Sequence, residues 1–281
     1  MPTPLLVSAE WLQANLTNPN VRPVDVRWYL PEPARGQAEY AQSHIVGAPF
    51  VNLDTELSAP KGSGPGRHPI PSAAAFSAVM QRIGVSADTH VVAYDSSGGA
   101  AAARLWWLLR YYGHSQVSLL DGGWPAWLAI GGATTAELPS VAAGSFEATP
   151  HPELVVDAEQ VDRLRQEAAA LLLDARASER YEGRVEPIDP RAGHIPGAKS
   201  APFAGNLAAD GRFLAAEALR ERFEGLGAAS AQPLVCYCGS GVTAAHNLFA
   251  LELAGISGGL LYEGSWSDWS SNPDRPAATG S

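Results

Sequence analysis

The sequence predicts two tandem α/β domains, each a mainly parallel sheet flanked by helices. The chain has 281 residues, and at about 150 residues per domain two domains are expected. Short apolar runs alternate with helix-like stretches, which is typical of parallel sheets covered on both faces. The predicted strands are 171–173, 234–236 and 259–262, and the predicted helices are 73–83, 101–112, 214–223 and 243–254.

An internal repeat supports the division into two domains. Four pairs of segments match in the same order with a slowly drifting offset, which indicates a tandem duplication. The pairs are 43–50 with 193–198, 24–27 with 173–176, 91–95 with 234–238, and 121–127 with 263–269. Between the repeats, a stretch rich in Gly, Ala, Thr, Ser and Pro predicts an exposed linker. We expect an N-terminal domain over 1–135, a linker over 136–152 and a C-terminal domain over 153–281.

Composition excludes several classes of protein. Hydrophobic residues make up 46% of the chain, enough to bury two cores, so wholesale disorder is excluded. The net charge of −10 repels a phosphate backbone, so no nucleic-acid partner is expected. No apolar run approaches the ~20 residues of a membrane span, and Met1-Pro2-Thr3-Pro4 lacks the basic start of a signal peptide. The chain has only two cysteines, too few and too close in sequence to form the disulfide framework of a secreted protein. We therefore expect a cytoplasmic protein with no membrane partner.

Cys238 is the candidate nucleophile. It ends a predicted buried strand and is followed by Gly239-Ser240-Gly241 and a predicted helix. This arrangement points backbone N–H groups and the positive end of the helix at one place, which favours the thiolate form of a cysteine. The alternative, a small buried hydrophobic residue, is disfavoured because α/β sheets place their sites at the carboxyl ends of strands.

Cys236 lies two residues earlier on the same predicted strand. It could be a resolving thiol or a core residue, and we favour the core because a bridge from i to i+2 of one strand strains disulfide geometry. Zinc is not expected, since two cysteines supply half of a structural site and no further cluster follows at ligand spacing.

The sequence resembles the rhodanese superfamily, in particular its two-domain 3-mercaptopyruvate and thiosulfate sulfurtransferases. The resemblance lies in the duplicated half, in Gly193-His194-Ile195-Pro196-Gly197-Ala198 and in the loop from Cys238 to Thr243, and it covers Val7 to Gly280. The loop is similar to that of the mercaptopyruvate enzymes, whereas thiosulfate enzymes typically carry Arg and Lys where this chain has Gly239 and Ser240. The resemblance implies two rhodanese-like domains of which only the C-terminal one is catalytic. The N-terminal half has Asp95 at the position of the nucleophile, and this residue cannot carry sulfane sulfur.

The reaction that the resemblance implies is a double displacement. The Cys238 thiolate takes sulfur from 3-mercaptopyruvate, or from thiosulfate, and the persulfide passes it to cyanide or to a thiol such as that of thioredoxin. Backbone N–H groups of Gly239, Ser240, Gly241, Val242 and Thr243 would stabilise the anions. No metal or organic cofactor is implied.

Arginines are the expected ligands of the donor carboxylate, because guanidinium binds carboxylate through two parallel hydrogen bonds. Arg180 matches the first substrate arginine of the family. For the second we choose Arg191, with Arg184 in reserve, since the segment before His194 is about two residues shorter than in the animal enzymes. The alternative for each arginine is a solvated surface residue.

The resemblance also implies a proton relay of Asp54, His68 and Ser240 beside Cys238. Histidine suits this role because its ordinary pKa lies near neutrality. The alternative is a solvated loop histidine, with Asp54 capping a turn. Structural roles are expected for residues that recur in both halves, because one half lacks the nucleophile: His44 and His194, Asp25 and Asp174, Arg27 and Arg176, and the tryptophans 124, 127, 266 and 269.

Two other classes of protein compete with a sulfurtransferase. Cysteine phosphatases have a similar loop but typically need Arg six residues after the cysteine, where this chain has Ala244. A non-enzymatic sulfur-carrier or interaction module is disfavoured by the presence of Cys238, Arg180 and the pair Asp54 and His68 together. Between the donors, the Gly239-Ser240 loop lacks cations to compensate dianionic thiosulfate, so we expect a preference for 3-mercaptopyruvate.

Overall fold

The computed structural model describes residues 3–228 and 233–280. Contacts divide the chain into two compact units. The first comprises the stretch up to Ala59 together with 71–151 and 209–212, and the second comprises 60–70, 152–208 and the stretch from Phe213 onward. The segment 60–70 precedes most of the first unit's helices in sequence, yet it packs with the second unit.

The first unit is built on a four-stranded parallel sheet with the order β1-β5-β4-β2, and a two-stranded antiparallel ribbon pairs β3 with β6. Its strands are β1 (Leu6–Val7), β2 (Val21–Asp25), β3 (His44–Ile45), β4 (His90–Tyr94), β5 (Val117–Leu120) and β6 (Thr134–Thr135). Its helices are α1 (Ala9–Asn15), α2 (Arg35–Gln42), α3 (Ala73–Arg82), α4 (Ala100–Tyr111) and α5 (Gly123–Ala129).

The second unit is built on a five-stranded parallel sheet with the order β7-β11-β10-β8-β9. Its strands are β7 (Val155–Val156), β8 (Leu171–Asp174), β9 (Lys199–Ser200), β10 (Leu234–Tyr237) and β11 (Gly259–Tyr262). Its helices are α6 (Ala158–Gln166), α7 (Ser178–Tyr181), α8 (Ala216–Gly225), α9 (Val242–Leu253) and α10 (Ser265–Trp269), with 3₁₀ turns at Pro152–Leu154 and Phe203–Asn206.

The sequence-based fold class is confirmed, and the predicted elements agree with the observed ones. Each predicted strand and helix overlaps an observed element, with ends that differ by one or two residues. Strands β8 and β10 are buried along their whole length, as expected for central strands covered by helices on both faces. Helix starts follow capping rules: Ser8 caps α1, and Asp157 forms a capping box with Gln160 at α6.

The duplicated residues make duplicated contacts. Arg27 binds Asp25 and the Ser43 carbonyl in the first unit, as Arg176 binds Asp174 and the Gly193 carbonyl in the second. The guanidinium carbons lie 4.6 Å above the ring of Trp124 and 4.8 Å above that of Trp266. His44 stacks on Tyr40, and His194 stacks on Tyr181, with ring centroids 3.9 and 3.7 Å apart. The two Arg–Asp ion pairs thus connect the ends of β2 and β8 to the backbone just before His44 and His194.

The predicted linker has no regular element between β6 and the 3₁₀ turn at Pro152–Leu154. It nevertheless follows the first unit closely, because backbone N–H groups of Gly144 and Phe146 donate to the carbonyls of Gln81 and Val85. The side chain of Phe146 is buried, so the segment is not exposed throughout. In the described part of the chain, no helix is long and apolar enough to cross a membrane.

Candidate functional site

Cys238 lies at the carboxyl edge of the second unit's sheet. It directly follows β10, which pairs with β8 on one side and β11 on the other. The loop Gly239-Ser240-Gly241 then leads into α9. Open parallel sheets bind their ligands at this edge, because the loops after neighbouring strands meet there.

The sulfur of Cys238 is held by the loop that follows it. Its Sγ accepts hydrogen bonds from the backbone N–H groups of Ser240 at 3.4 Å and of Gly241 at 3.1 Å. Gly241 caps α9 with a left-handed backbone at φ 80°, so the N–H groups and the positive end of this twelve-residue helix point toward the sulfur. Cys238 as a whole is 2% exposed. This arrangement stabilises a negative charge on sulfur at a place shielded from bulk water.

The loop that begins at Cys238 is anchored by Ser265. The Cys238 N–H donates to Ser265 Oγ at 3.1 Å, and this hydroxyl donates to the Tyr262 carbonyl at 2.9 Å. Ser265 has a φ of 53°, which glycine adopts readily and other residues adopt at a cost of about 1–3 kcal/mol. The matching residue of the first unit is Gly123, with a φ of 54°. The sequence contained a signal for this anchor that we did not use, namely serine where the repeat has glycine.

Cys236 belongs to the core. Its side chain is fully buried on β10, and burial, followed by the nearby Cys238 sulfur, raises the pKa of the Cys236 thiol well above its usual range. A thiol that stays protonated is a poor nucleophile. The structure therefore favours the packing interpretation over a resolving thiol.

The segment 60–70 brings His68 to the loop that follows Cys238. A hydrogen bond of 2.7 Å joins His68 Nδ1 to Ser240 Oγ, and both side chains are buried. The approach is close at Gly66, which has a φ of 72° and where a Cβ atom would lie 2.5 Å from the Gly264 carbonyl oxygen. Only glycine fits there without a shift of backbone. The structure thus brings His68, Ser240 and Cys238 together.

Two arginines lie beside the same loop. Arg180 donates from Nη2 to Glu186 at 2.7 Å and to Asp189 at 2.9 Å, and Arg67 donates from Nη1 to the other oxygen of Asp189. Sequence reasoning missed Arg67, Glu186 and Asp189. The signal for Arg67 in the sequence is its place next to His68.

Burial opposes the arginines in setting the pKa of the two carboxylates that bind them, Glu186 and Asp189. It works to raise the pKa of Glu186, but hydrogen bonds from Arg180 and from the Asp189 N–H outweigh it, so this pKa lies below the ordinary value. Burial raises the pKa of Asp189 although Arg67 and Arg180 favour the charged form. Asp189 is therefore an internal anion that is stable mainly through its two arginine partners.

The structure corrects the choice of Arg191 as a substrate ligand. All three of its side-chain nitrogens donate to backbone carbonyls, those of Trp269, Ser270, Asn272 and Arg275. Its guanidinium closes the turn after α10 and has no free edge for a carboxylate. The reserve candidate, Arg184, has a side chain that is 61% exposed and is paired with Glu182.

The other predicted site residues divide between the units. Val242 and Thr243 form the first turn of α9, directly after Gly239 and Gly241 of the loop. Asp54 belongs to the first unit, where its Oδ2 accepts a hydrogen bond of 2.8 Å from Trp28 Nε1. Its part in a relay stays a prediction. Among the residues that the structure describes, no group of three or more His, Cys, Asp or Glu could hold a metal ion.

The geometry defines a class of protein. A cysteine cradled by backbone N–H groups at the end of a parallel strand, on the second of two duplicated α/β units, is the arrangement of a rhodanese-like protein. The profile of the rhodanese-like domain matches residues 8–130 and 157–272. The chain belongs to this family and contains two copies of its domain.

Similar proteins are named as sulfurtransferases. A Pseudomonas aeruginosa protein named "Probable 3-mercaptopyruvate sulfurtransferase" is 48% identical over 98% of both chains. The rat thiosulfate sulfurtransferase is 36% identical over 94% of this chain and 91% of its own. The crystal structure of SseA from Escherichia coli, described as showing the "Rhodanese" fold of 3-mercaptopyruvate sulfotransferases, superposes with a TM-score of 0.84 at 33% identity, over 94% of this chain and all of that one.

Proposed function

We propose that this protein transfers sulfane sulfur from 3-mercaptopyruvate to a thiol or to cyanide through a persulfide on Cys238. The observation that carries the proposal is the pair of hydrogen bonds from the Ser240 and Gly241 N–H groups to the Cys238 sulfur. The 48% identity to a protein named as a 3-mercaptopyruvate sulfurtransferase supports the same activity.

In the first half-reaction, the Cys238 thiolate attacks the sulfur of the donor. An S–S bond forms, the C–S bond breaks, and its electron pair leaves on carbon as the enolate of pyruvate, which takes up one proton. In the second half-reaction, an acceptor thiolate or cyanide attacks the outer sulfur, and the Cys238 thiolate is regenerated. The thiolate that begins the first half-reaction and is regenerated in the second lies at the end of β10, where the N–H groups of residues 239–243 stabilise its charge.

The enolate needs a proton, and His68 with Ser240 is suited to supply it. The hydrogen bond of 2.7 Å between them lets the hydroxyl pass a proton while the imidazole replaces it.

The donor carboxylate is assigned to Arg180, which lies beside the loop and has one nitrogen, Nη1, without a hydrogen bond to any described residue. Thiosulfate is the second candidate donor, favoured by the 36% identity to a thiosulfate sulfurtransferase. Gly239 and Ser240 carry no cationic side chain, so dianionic thiosulfate is compensated less well than a monocarboxylate.

Mass spectrometry of the intact protein after addition of either donor tests the nucleophile. We expect an adduct of about +32 Da, one sulfur atom, on wild type and on Cys236→Ser, and none on Cys238→Ser. An adduct that survives in folded Cys238→Ser would remove the assigned nucleophile. An adduct without turnover on any acceptor would identify a sulfur carrier instead of an enzyme.

Donor preference follows from the ratio of kcat/KM for the two donors. We expect 3-mercaptopyruvate to be preferred, and thiosulfate winning by tenfold, about 1.4 kcal/mol, would reverse the assignment. The acceptor is proposed to be a small thiol or a dithiol protein such as thioredoxin. A reducing compartment, the cytoplasm, suits a nucleophile that must stay a free thiol, and both cysteines are free.

A further inference from the structure

Ser267 connects the two segments that meet beside the nucleophile. Its backbone N–H donates to the Gly239 carbonyl at 3.0 Å, and its hydroxyl accepts from the Arg67 N–H at 3.1 Å. Gly239 directly precedes Ser240, and Arg67 directly precedes His68. One residue of α10 is therefore hydrogen-bonded to the backbone next to both members of the His68–Ser240 pair.

A third hydrogen bond sets the orientation of the Ser267 hydroxyl. This hydroxyl donates to the Gly264 carbonyl at 3.1 Å, in the turn that leads into α10. Because a hydroxyl has a single proton, which is used there, its lone pairs are left to accept the Arg67 N–H. The turn therefore holds Ser267, and Ser267 holds the segment 60–70.

The backbone around His68 is tethered on both sides of that residue. The bond from the Arg67 N–H precedes it, and the Ile70 N–H, two residues after it, donates to Glu263 Oε2 at 3.3 Å. Between these tethers the imidazole reaches Ser240 at 2.7 Å. Proton transfer requires hydrogen-bond distance, and a small displacement of a catalytic group is enough to slow a reaction.

The matching turn of the first unit lacks this connection. The two turns align at their tryptophans, whose N–H groups donate to the carbonyls of the residues that follow or end a strand, Trp124 to Asp95 at 2.8 Å and Trp266 to Cys238 at 2.9 Å. The next residue is Ser267 in the second unit but Pro125 in the first. Proline has neither a backbone N–H nor a hydroxyl, so of the two turns only the one beside Cys238 makes both bonds.

We propose that Ser267 is a positioning residue for proton transfer, which keeps His68 at hydrogen-bond distance from Ser240. The inference rests on the proposed function and extends it to a residue that acts through His68. Without the Ser267 hydroxyl, the Arg67 N–H loses its acceptor and the segment 60–70 is held less closely, while Cys238 keeps the N–H donors of its own loop. Sulfur transfer to Cys238 then continues, but the enolate of pyruvate is protonated more slowly.

Steady-state kinetics of Ser267→Ala with both donors and the same acceptor tests this role. We expect kcat with 3-mercaptopyruvate to fall about 3–10-fold, the factor that one neutral hydrogen bond supplies. With thiosulfate, kcat should change less than about twofold, because sulfite leaves without taking up a proton. Ser267→Thr keeps a hydroxyl and should retain most of the wild-type kcat.

Ser271→Ala is the matched control. The Ser271 hydroxyl donates to the carbonyl three residues earlier, that of Asp268, at 2.7 Å, just as the Ser267 hydroxyl donates to that of Gly264. Its removal should leave kcat with either donor unchanged.

The double variant His68→Gln/Ser267→Ala separates positioning from a general structural effect. A residue that acts through His68 has nothing to position once that side chain is gone, so the double variant should match His68→Gln. Gly66→Ala examines the contact from the other side, because a Cβ atom at Gly66 would lie 2.9 Å from Ser267 Oγ. We expect the same selective loss with 3-mercaptopyruvate, and thermal unfolding checks that each variant is folded.

Three outcomes would overturn the inference: equal losses with the two donors in folded Ser267→Ala, wild-type kinetics of that variant, or a further loss when it is combined with His68→Gln. In each case the Cys238 adduct of the wild type still supports the proposed function. Absence of that adduct would overturn the proposed function itself.

Discussion

Asp95 and Cys238 occupy equivalent positions of the two units, and each accepts hydrogen bonds from the loop that follows its strand. Cys238 Sγ accepts two, whereas the Asp95 carboxylate accepts four, from the N–H groups of residues 97, 99, 101 and 102. In the first unit the side chain of Asp95 thus accepts the loop N–H groups that, in the second unit, donate to the sulfur of Cys238. Both units therefore have a loop of backbone N–H donors at this position, but only the second unit has a thiol there.

Asp95→Asn should destabilise the protein without removing the nucleophile. An amide offers one acceptor oxygen in place of two and turns its NH₂ group toward backbone N–H groups that then lose their partner. We expect the free energy of unfolding to fall by about 2–3 kcal/mol, measured by denaturant titration.

The control for this substitution is Asp88→Asn, the same chemical change at an exposed residue of the same unit. It should leave the free energy of unfolding within about 0.5 kcal/mol of wild type. Below its unfolding temperature, Asp95→Asn should form the Cys238 adduct like wild type. Equal stability of Asp95→Asn and wild type would show that the four hydrogen bonds do not act on a charge.

His68→Gln should separate the two donors. Sulfur transfer from 3-mercaptopyruvate leaves an enolate that needs a proton, whereas thiosulfate releases sulfite, which leaves with its electron pair and needs none. We expect kcat with 3-mercaptopyruvate to fall by about 10²-fold or more, and kcat with thiosulfate to fall much less.

Ser240→Ala provides the internal check on this prediction, because His68 and Ser240 share one hydrogen bond. The two single variants and the double variant should show similar losses, since residues that act as a unit are not additive. Losses that multiply, or that are equal for both donors, would speak against a relay.

Acidification should weaken the first unit through the buried His114 and the half-buried His90. Burial lowers the pKa of His114, which is bound to the Thr89 carbonyl, and burial followed by the charge of His114 lowers the pKa of His90. Both histidines of the unfolded chain then take up protons near pH 6.5, before those of the folded chain do. Stability is therefore complete above about pH 6.5 and decreases as the pH falls below it.

Thermal unfolding between pH 5 and 8 measures this dependence. The variant His90→Gln/His114→Gln should be less stable at pH 8 but should lose less stability than wild type on acidification. A wild-type stability that stays constant or rises between pH 6.5 and 5.5 would contradict the assignment.

The duplication, the fold class and the strand, loop and helix around Cys238 could all be predicted from sequence. Local rules govern these features: apolar runs of strand length, helix caps, and a glycine loop between a strand and a helix. The internal repeat supported these assignments independently, because each repeated segment should form the same element in both halves. The same comparison singled out the residue pairs that brace the strand ends.

The architecture and the position of Cys238 at the end of a strand thus follow from the amino-acid sequence, whereas the side chains that surround Cys238 are set by the folded chain. His68 meets Ser240 across 172 residues, and Arg67 meets Asp189 across 122. Arg191 is much nearer to Arg180 in sequence, but its guanidinium donates its hydrogen bonds to backbone carbonyls of the turn after α10. The physical reason is that a guanidinium binds whichever oxygens the folded backbone brings to it, and spacing along the chain does not specify those oxygens.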